Sequence, residues 1–249
     1  MDSLLAPNIL AVIMARAGSV GLKNKHTLPL LGRPVISYTF DHAIASKLIT
    51  GWVVSSDSAE ILALAADAGF HTIQRPPNLS TAEASVQSVL LHALQAIERD
   101  CGYVADVVVT LYGNVPIRGD GAIDRGISLL QETKCDSVRS FCPVGKWHPA
   151  WMSRLDGDKV IPLQPGSIHR RQDLETLYLH DGAVIATTRD SLMQAAKTPD
   201  DPHAFFGADR RAIVTAPGET VEIDQLSDLF VAEGLLRHRE ELQKLRKAS

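Results

Sequence analysis

Apolar positions along the chain alternate between two periods. The run Ile9–Met14 is apolar throughout, which predicts a strand over 8–15 buried on both faces. Val35, Ile36, Phe40, Ala43 and Ile44 then fall on one face of a helix over 34–46. A short strand follows over 51–55, and a helix over 59–68 that Asp57 or Ser58 can cap. Residues 70–74 read as a third strand. Val86, Val89, Leu90, Ala93, Leu94 and Ile97 form the apolar stripe of a longer helix over 85–100. The run 105–112 is the most strongly β-branched and predicts a central strand. A helix over 121–133 and a strand over 136–141 complete a βαβα order, which predicts an α/β fold with a doubly wound, mostly parallel sheet.

The pattern breaks after residue 145. Residues 146–178 mix Trp, Pro, Gly and charges and read as short strands and loops, an excursion over 145–178 from a single domain spanning 1–249. Strands return over 179–187 and 211–214, and Val221-Glu222-Ile223-Asp224 leads into a terminal helix over 225–247.

Composition narrows the function classes. Hydrophobic residues make up 45% and charged residues 22%, the balance of a soluble globular chain. A net charge of −4 offers no general attraction for nucleic acid, so any anion site must be local. Cys101, Cys135 and Cys142 lack metal-ligand spacing and suit a reduced, cytoplasmic chain. The first residues carry no signal-peptide pattern, and no apolar run is long enough for a membrane span.

The candidate chemistry clusters where predicted strands end. Ala15, Arg16, Gly18, Ser19, Gly21, Lys23, Lys25 and His26 form a glycine-rich basic loop after the first strand. Glycines let backbone N–H groups approach a ligand and the cations neutralise a polyanion, so the loop reads as a triphosphate cradle or as a tight βα turn with solvated lysines. It matches neither a P-loop nor a dinucleotide fingerprint. Ser55-Ser56-Asp57-Ser58 ends the second strand. Arg75 sits in a loop stiffened by Pro76 and Pro77, after the third. Ser85 opens the long helix. Tyr112-Gly113-Asn114 begins the turn after the central strand, where open α/β sheets bind ligands, and the turn runs on to Arg118. Arg170, Arg171 and Gln172, with Tyr178 beyond, suit an anionic ligand or form a solvated charged face. Glu222 and Asp224 point to one side if 221–224 is extended and can then hold Mg²⁺, or Asp224 caps the terminal helix.

The order of these signals resembles the acylneuraminate cytidylyltransferases, the CMP-sialic acid synthetase type related to CMP-Kdo synthetases. The resemblance covers 9–236 and rests on Arg16-x-Gly18-Ser19-x-Gly21-Leu22-x-x-Lys25, Leu31-Gly32-Arg33-Pro34, Ser55-Ser56-Asp57-Ser58, Arg75-Pro76-x-x-Leu79, Pro116-x-Arg118, Arg170-Arg171-Gln172-Asp173-Leu174 and Glu222-Ile223-Asp224. It implies a nucleotide-diphospho-sugar transferase (GT-A-like) fold with a small dimerisation arm over 145–178. It implies transfer from CTP to a nonulosonic acid with release of pyrophosphate, and a homodimer. Arg16, Lys25 and Asp224 would be catalytic. Ala15, Arg16, Gly18, Ser19, Gly21, Lys25, His26, Arg75 and Ser85 would bind the nucleotide. Tyr112, Asn114, Arg170, Arg171, Gln172 and Tyr178 would bind the sugar acid, and Glu222 and Asp224 the Mg²⁺. Trp147, Pro149 and Trp151 stand as interface anchors or core residues, as do Phe205 and Phe206.

The chain departs from the family pattern at four of these positions. Val20 replaces a lysine, His26 an asparagine, Tyr112 a glutamine and Glu222 an aspartate. These changes leave open a different base, a modified nonulosonic acid or other acidic sugar, and a non-catalytic nucleotide- or sugar-binding homologue.

Overall fold

A computed structural model of the chain describes residues 7–18, 21–164, 166 and 170–248. Strand β1 (Ile9–Met14) leads through the two-residue strands β2 (Pro29–Leu30) and β3 (Arg33–Pro34) to helix α1 (Val35–Ala45). Next come β4 (Gly51–Ser56), α2 (Ala59–Asp67), β5 (His71–Gln74), α3 (Val86–Cys101), β6 (Val107–Tyr112) and α4 (Ala122–Thr133). β7 (Ser137–Pro143) precedes a separate hairpin of β8 (Ser153–Asp156) and β9 (Lys159–Pro162). The chain then returns as β10 (Tyr178–Thr188), α5 (Arg189–Ala195), β11 (Arg210–Val214) and α6 (Leu226–Ala248). No described helix is long and apolar enough to cross a membrane.

The seven-stranded sheet runs β11-β7-β10-β6-β1-β4-β5, so the β-branched run of β6 is central, as its composition predicts. Strand alternation feeds two cores. Ile9, Ala11 and Ile13 face α1, α2 and α4 through Ile36, Phe40, Ile61 and Ile127. Leu10 and Val12 face α3 and α5 through Leu90, Leu94 and Leu192, with Phe205 and Phe206 in the same core. Ser58, not Asp57, caps α2, accepting from Ile61 N. Asp57 instead accepts from Ala17 N at 2.8 Å.

The sheet is mostly parallel, as expected, with one reversed strand. The sheet is parallel along β6, β1, β4 and β5 and between β7 and β11, but β10 is antiparallel to both β6 and β7. Residues 221–224 are not a strand: Val221 makes a single bridge to Ile117. Helix α5 and the strands β2 and β3 are too short to announce themselves by period.

Arg118 closes the turn after β6 and is 2% exposed. Its guanidinium donates to the carbonyls of Ala183 (2.8 Å), Val115 (2.7 Å) and Tyr112 (2.9 Å) and to Thr39 Oγ1 (3.0 Å). One side chain thereby joins β6, β10 and α1. Burial pulls its pKa down to about 9, so it is still charged near neutrality. Arg118→Met would leave the Ala183 carbonyl without its donor and the Tyr112 and Val115 carbonyls to share the Thr39 hydroxyl, each unpaired carbonyl costing about 1–3 kcal/mol. Urea unfolding should show a loss of about 3 kcal/mol or more, with Arg118→Lys restoring only part; a loss below about 1 kcal/mol would mean that these bonds do not stabilise the fold.

His42 Nδ1 lies 3.2 Å from Arg118 Nη1. Burial, then Arg118 and Arg239, push the His42 pKa down to about 3. The unfolded imidazole, with a pKa of about 6.5, takes up its proton first as pH falls. This contribution to stability is therefore full above about pH 6.5 and is lost progressively toward pH 3. Unfolding free energies measured at pH 7.5 and 5 should fall with pH, and fall less in His42→Gln; equal slopes would refute the assignment.

Candidate active site

The carboxyl ends of β1, β4, β5 and β6 lie along one edge of the sheet. Backbone bonds stitch their loops together: Ala15 N to Ser55 O (3.2 Å), Arg75 N to Ser56 O (2.7 Å) and Gly113 N to Met14 O (3.0 Å). The basic loop crosses this edge, with Gly18 exposed and Ser19 and Val20 outside the described residues. At Gly21 a Cβ would lie 2.7 Å from the Asp224 carbonyl oxygen. Glycine there lets the basic loop close onto the acidic segment.

A cleft of about 200 Å³ opens at this edge, lined by Ala15, Arg16, Lys25, His26, Arg75, Tyr112, Asn114 and Glu222. Met14, Leu79, Ala82, Val86 and Val89 form its apolar wall. Ser85 spends its hydroxyl capping α3, accepting from Ser88 N at 3.1 Å, while its neighbours Ala84 and Val86 line the cleft.

Three cations enter the cleft in different states. Arg75 is 5% exposed and donates to Ser55 Oγ (3.2 Å) and the Ser55 carbonyl (2.7 Å). Burial lowers its pKa to about 10, so it remains a cation at neutral pH. Lys25 Nζ pairs with Asp224 Oδ1 at 2.6 Å. The Arg16 guanidinium makes no hydrogen bond or ion pair to a described residue and is free to meet a ligand. His26 is 4% exposed, and burial, then Lys25, push its pKa down to about 3. It is a neutral ring, and its buried Nδ1 has no partner among the described residues.

Asn114 gathers the acidic segment. Its Nδ2 donates toward Glu222 Oε1 (3.0 Å), the Ile223 carbonyl (3.0 Å) and Asp224 Oδ1 (3.3 Å), and its own carbonyl accepts from Ile223 N at 2.8 Å. The two carboxylates meet on one amide although 221–224 is not a strand. Asp228 Oδ2 accepts from Asp224 N and Gln225 N, so the α6 end is held by Asp228 and the Asp224 carboxylate stays with Lys25 and Asn114. Burial, then Glu222, push the Tyr112 phenol up to about 12, which keeps it protonated beside the pair.

The remaining sequence candidates lie elsewhere in the chain. Arg170 pairs with Asp173 at 2.8 Å, and Arg171 lines a separate cavity of about 220 Å³ with Gly145 and His148. Gln172 is exposed, and Tyr178 opens β10 with its side chain largely in solvent. None of these four lines the cleft. Conversely, Ala82 and Ala84 carry no sequence signal, and their place in the wall is visible only in the folded chain.

The sequence model of the cytidylyltransferase family matches residues 10–203, from β1 past α5. An N-acylneuraminate cytidylyltransferase of Streptococcus agalactiae serotype V is 28% identical over 231 residues, 91% of this chain and 53% of that protein, so the chain spans about half the length of that relative. A CMP-N,N′-diacetyllegionaminic acid synthase of Legionella pneumophila is 27% identical over 237 residues, 94% of this chain and 98% of that one. Among solved structures, CMP:2-keto-3-deoxy-manno-octonic acid synthetase complexed with CTP shares the fold, with a TM-score of 0.72 at 17% identity over 93% of this chain and 99% of that one. With the family's match running over the strands whose ends build the cleft, the chain belongs to the cytidylyltransferase family.

Proposed function

We propose that the chain transfers a cytidylyl group from CTP to a sialic-acid-like nonulosonic acid and releases pyrophosphate. One observation carries the reading: Arg16, Lys25 and Arg75 converge on a cleft that Glu222 also lines, with Asp224 on the same Asn114 amide and paired with Lys25. Cations suit a triphosphate, and in-line displacement at phosphorus needs positioning and charge neutralisation more than covalent catalysis. The names of the Streptococcus and Legionella relatives support a nonulosonic acid as the acceptor.

Arg75, pinned by Ser55, supplies a fixed charge, and Arg16 an unengaged one. The sugar hydroxyl attacks the α-phosphorus as the bond to the β-phosphate oxygen breaks. Ala15, Gly18, Ser19, Gly21, His26 and Ser85 belong to the nucleotide side of this reading, and Tyr112 and Asn114 to the sugar side. The donor set fits Mg²⁺, a hard cation usually held by one or two carboxylates together with waters and substrate phosphates. Glu222 and Asp224 would hold it, and when bound it would neutralise charge developing on the phosphate oxygens.

Pyrophosphate release should appear with CTP and one of N-acetylneuraminate, N,N′-diacetyllegionaminate, pseudaminate or Kdo. Asp224→Asn should lower it at least about 100-fold while the unfolding curve stays near wild type. Turnover with UTP or GTP but not CTP would sink the cytosine assignment, and calorimetric binding without turnover would point to a non-catalytic homologue.

We also propose a homodimer formed through the arm. Trp147, Leu155, Val160 and Leu179 are each about two-thirds exposed, an apolar surface that a second copy would cover. Arg170, Arg171, Gln172 and Tyr178 lie in or beside this arm, so a role toward the sugar would be exercised near the dimer interface. A cytoplasmic location fits the free cysteines Cys101, Cys135 and Cys142. Light scattering should give a dimer mass, and Leu155→Glu with Val160→Glu a monomer; a monomeric wild type at micromolar concentration would refute the interface.

A further inference from the structure

Arg139 is a cation held against aromatic rings, with no hydrogen bond or ion pair to a described residue. In β7 it lies opposite Ile185 of β10, which in turn lies opposite Thr110 of β6. Tyr112 follows two residues after Thr110, on the same face, and lines the cleft. The Arg139 guanidinium sits 4.2 Å from the Phe206 ring centroid and 4.9 Å from that of Phe141, and Phe206 shares its apolar cluster with Tyr112. Guanidinium and phenol are close enough to shift each other's ionisation.

The half-buried guanidinium makes no hydrogen bond or ion pair to any described residue. Its charged neighbour across Phe206 is Arg210, of like sign, 5.8 Å from that ring's centroid. Two aromatic faces hold the group in place while its N–H donors stay unspent. His180 flanks Phe141 from another side, ring centroids 5.8 Å apart. Its Nδ1 bonds the Ser140 carbonyl at 2.9 Å, which makes Nδ1 the donor and leaves Nε2 an acceptor, buried and without a partner among the described residues. Planar donors and one acceptor around the same ring complement an amide, whose carbonyl accepts and whose N–H donates.

We propose that Arg139 is a specificity-determining residue on the sugar side of the cleft, reading the carbonyl oxygen of an acylamino substituent on the acceptor sugar. The inference rests on the cytidylyltransferase reading above and names the chemical feature selected. A carbonyl satisfies a guanidinium that a hydroxyl of the same sugar, placed one bond nearer the ring, does not reach. Such a site rejects the analogue lacking the group, because its polar atoms are then left unpaired.

The experiment uses the full chain, CTP and three sugars: N-acetylneuraminate, its deaminated counterpart with a hydroxyl in place of the acetamido group, and N,N′-diacetyllegionaminate. Arg139→Met keeps an unbranched apolar stem and removes the guanidinium with its N–H donors. It should raise KM for the amidated sugars about tenfold or more, leave KM for the deaminated sugar and for CTP within about twofold, and so erase the preference of the wild type. Arg139→Lys should fall between the two, and it decides by the same ratio if the Met variant does not fold. Equal increases for all sugars, no change for any, or a wild type that prefers the deaminated sugar would overturn the inference while leaving nucleotidyl transfer intact. Absence of pyrophosphate release with every sugar and nucleotide would overturn the parent reading and this one with it.

Discussion

A single buried guanidinium holds the segment on which the cleft is assembled. Burying a charge is costly unless it is hydrogen-bonded, and each guanidinium nitrogen of Arg118 finds an acceptor, backbone carbonyls and a hydroxyl rather than a carboxylate. Its role is therefore geometric. It fixes the turn from Tyr112 to Val115, which presents Asn114, and the Asn114 amide in turn gathers Glu222 and Asp224. The same guanidinium grips the Ala183 carbonyl, next to Gly182. There φ is +76°, and a Cβ would come within 3.3 Å of Glu222 Oε2. The position of the acidic pair thus traces back through two side chains to one buried cation.

The charges of the cleft are arranged in unequal commitments. Arg75 is locked to Ser55 and changes little when a ligand arrives. Lys25 is committed to Asp224, whose side chain is 59% exposed. On the proposed reading a polyanion would compete for Lys25 and a cation for Asp224, and the arrival of both would separate the pair with little net loss. An ion pair with one partner this exposed is weak enough to exchange.

Much of this architecture is legible in the chain itself, for identifiable reasons. The β-branched run of β6 and the alternating stripes of α1 and α3 state their burial directly, and the basic loop and Arg75 sit where strand ends place them. The direction of β10 is not legible, because a strand has the same period whichever way it runs and a long excursion precedes it. Arg118 reads in sequence as a charged turn residue; only its acceptors, drawn from residues 39, 112, 115 and 183, reveal it as core. Asn114 sits in the cleft as expected, but its amide is spent on the acidic segment, which lies more than a hundred residues away. The pair Arg170 and Arg171 forms a motif without entering the cleft of its own chain.

The antiparallel strand also gives the two sides of this edge different chemistry. From β6 through β1 and β4 to β5 the sheet is parallel, and successive strand ends bring Arg16 and Arg75 to one edge, with Ser55 between them holding Arg75. At β6 the order turns: the next strand outward, β10, enters from the excursion and brings its beginning, not its end, to the same edge. That entry carries a register shift between His180 and Ile185, which places Gly182 against Glu222 and leaves His180 beside Phe141. A parallel strand would have ended there in another phosphate-type loop. The antiparallel one supplies a bulge and aromatic and imidazole surface, the kind of wall that suits a sugar more than a triphosphate. The cleft therefore sits where strand direction reverses, and its two sides differ in chemistry because the strands that build them run in opposite senses.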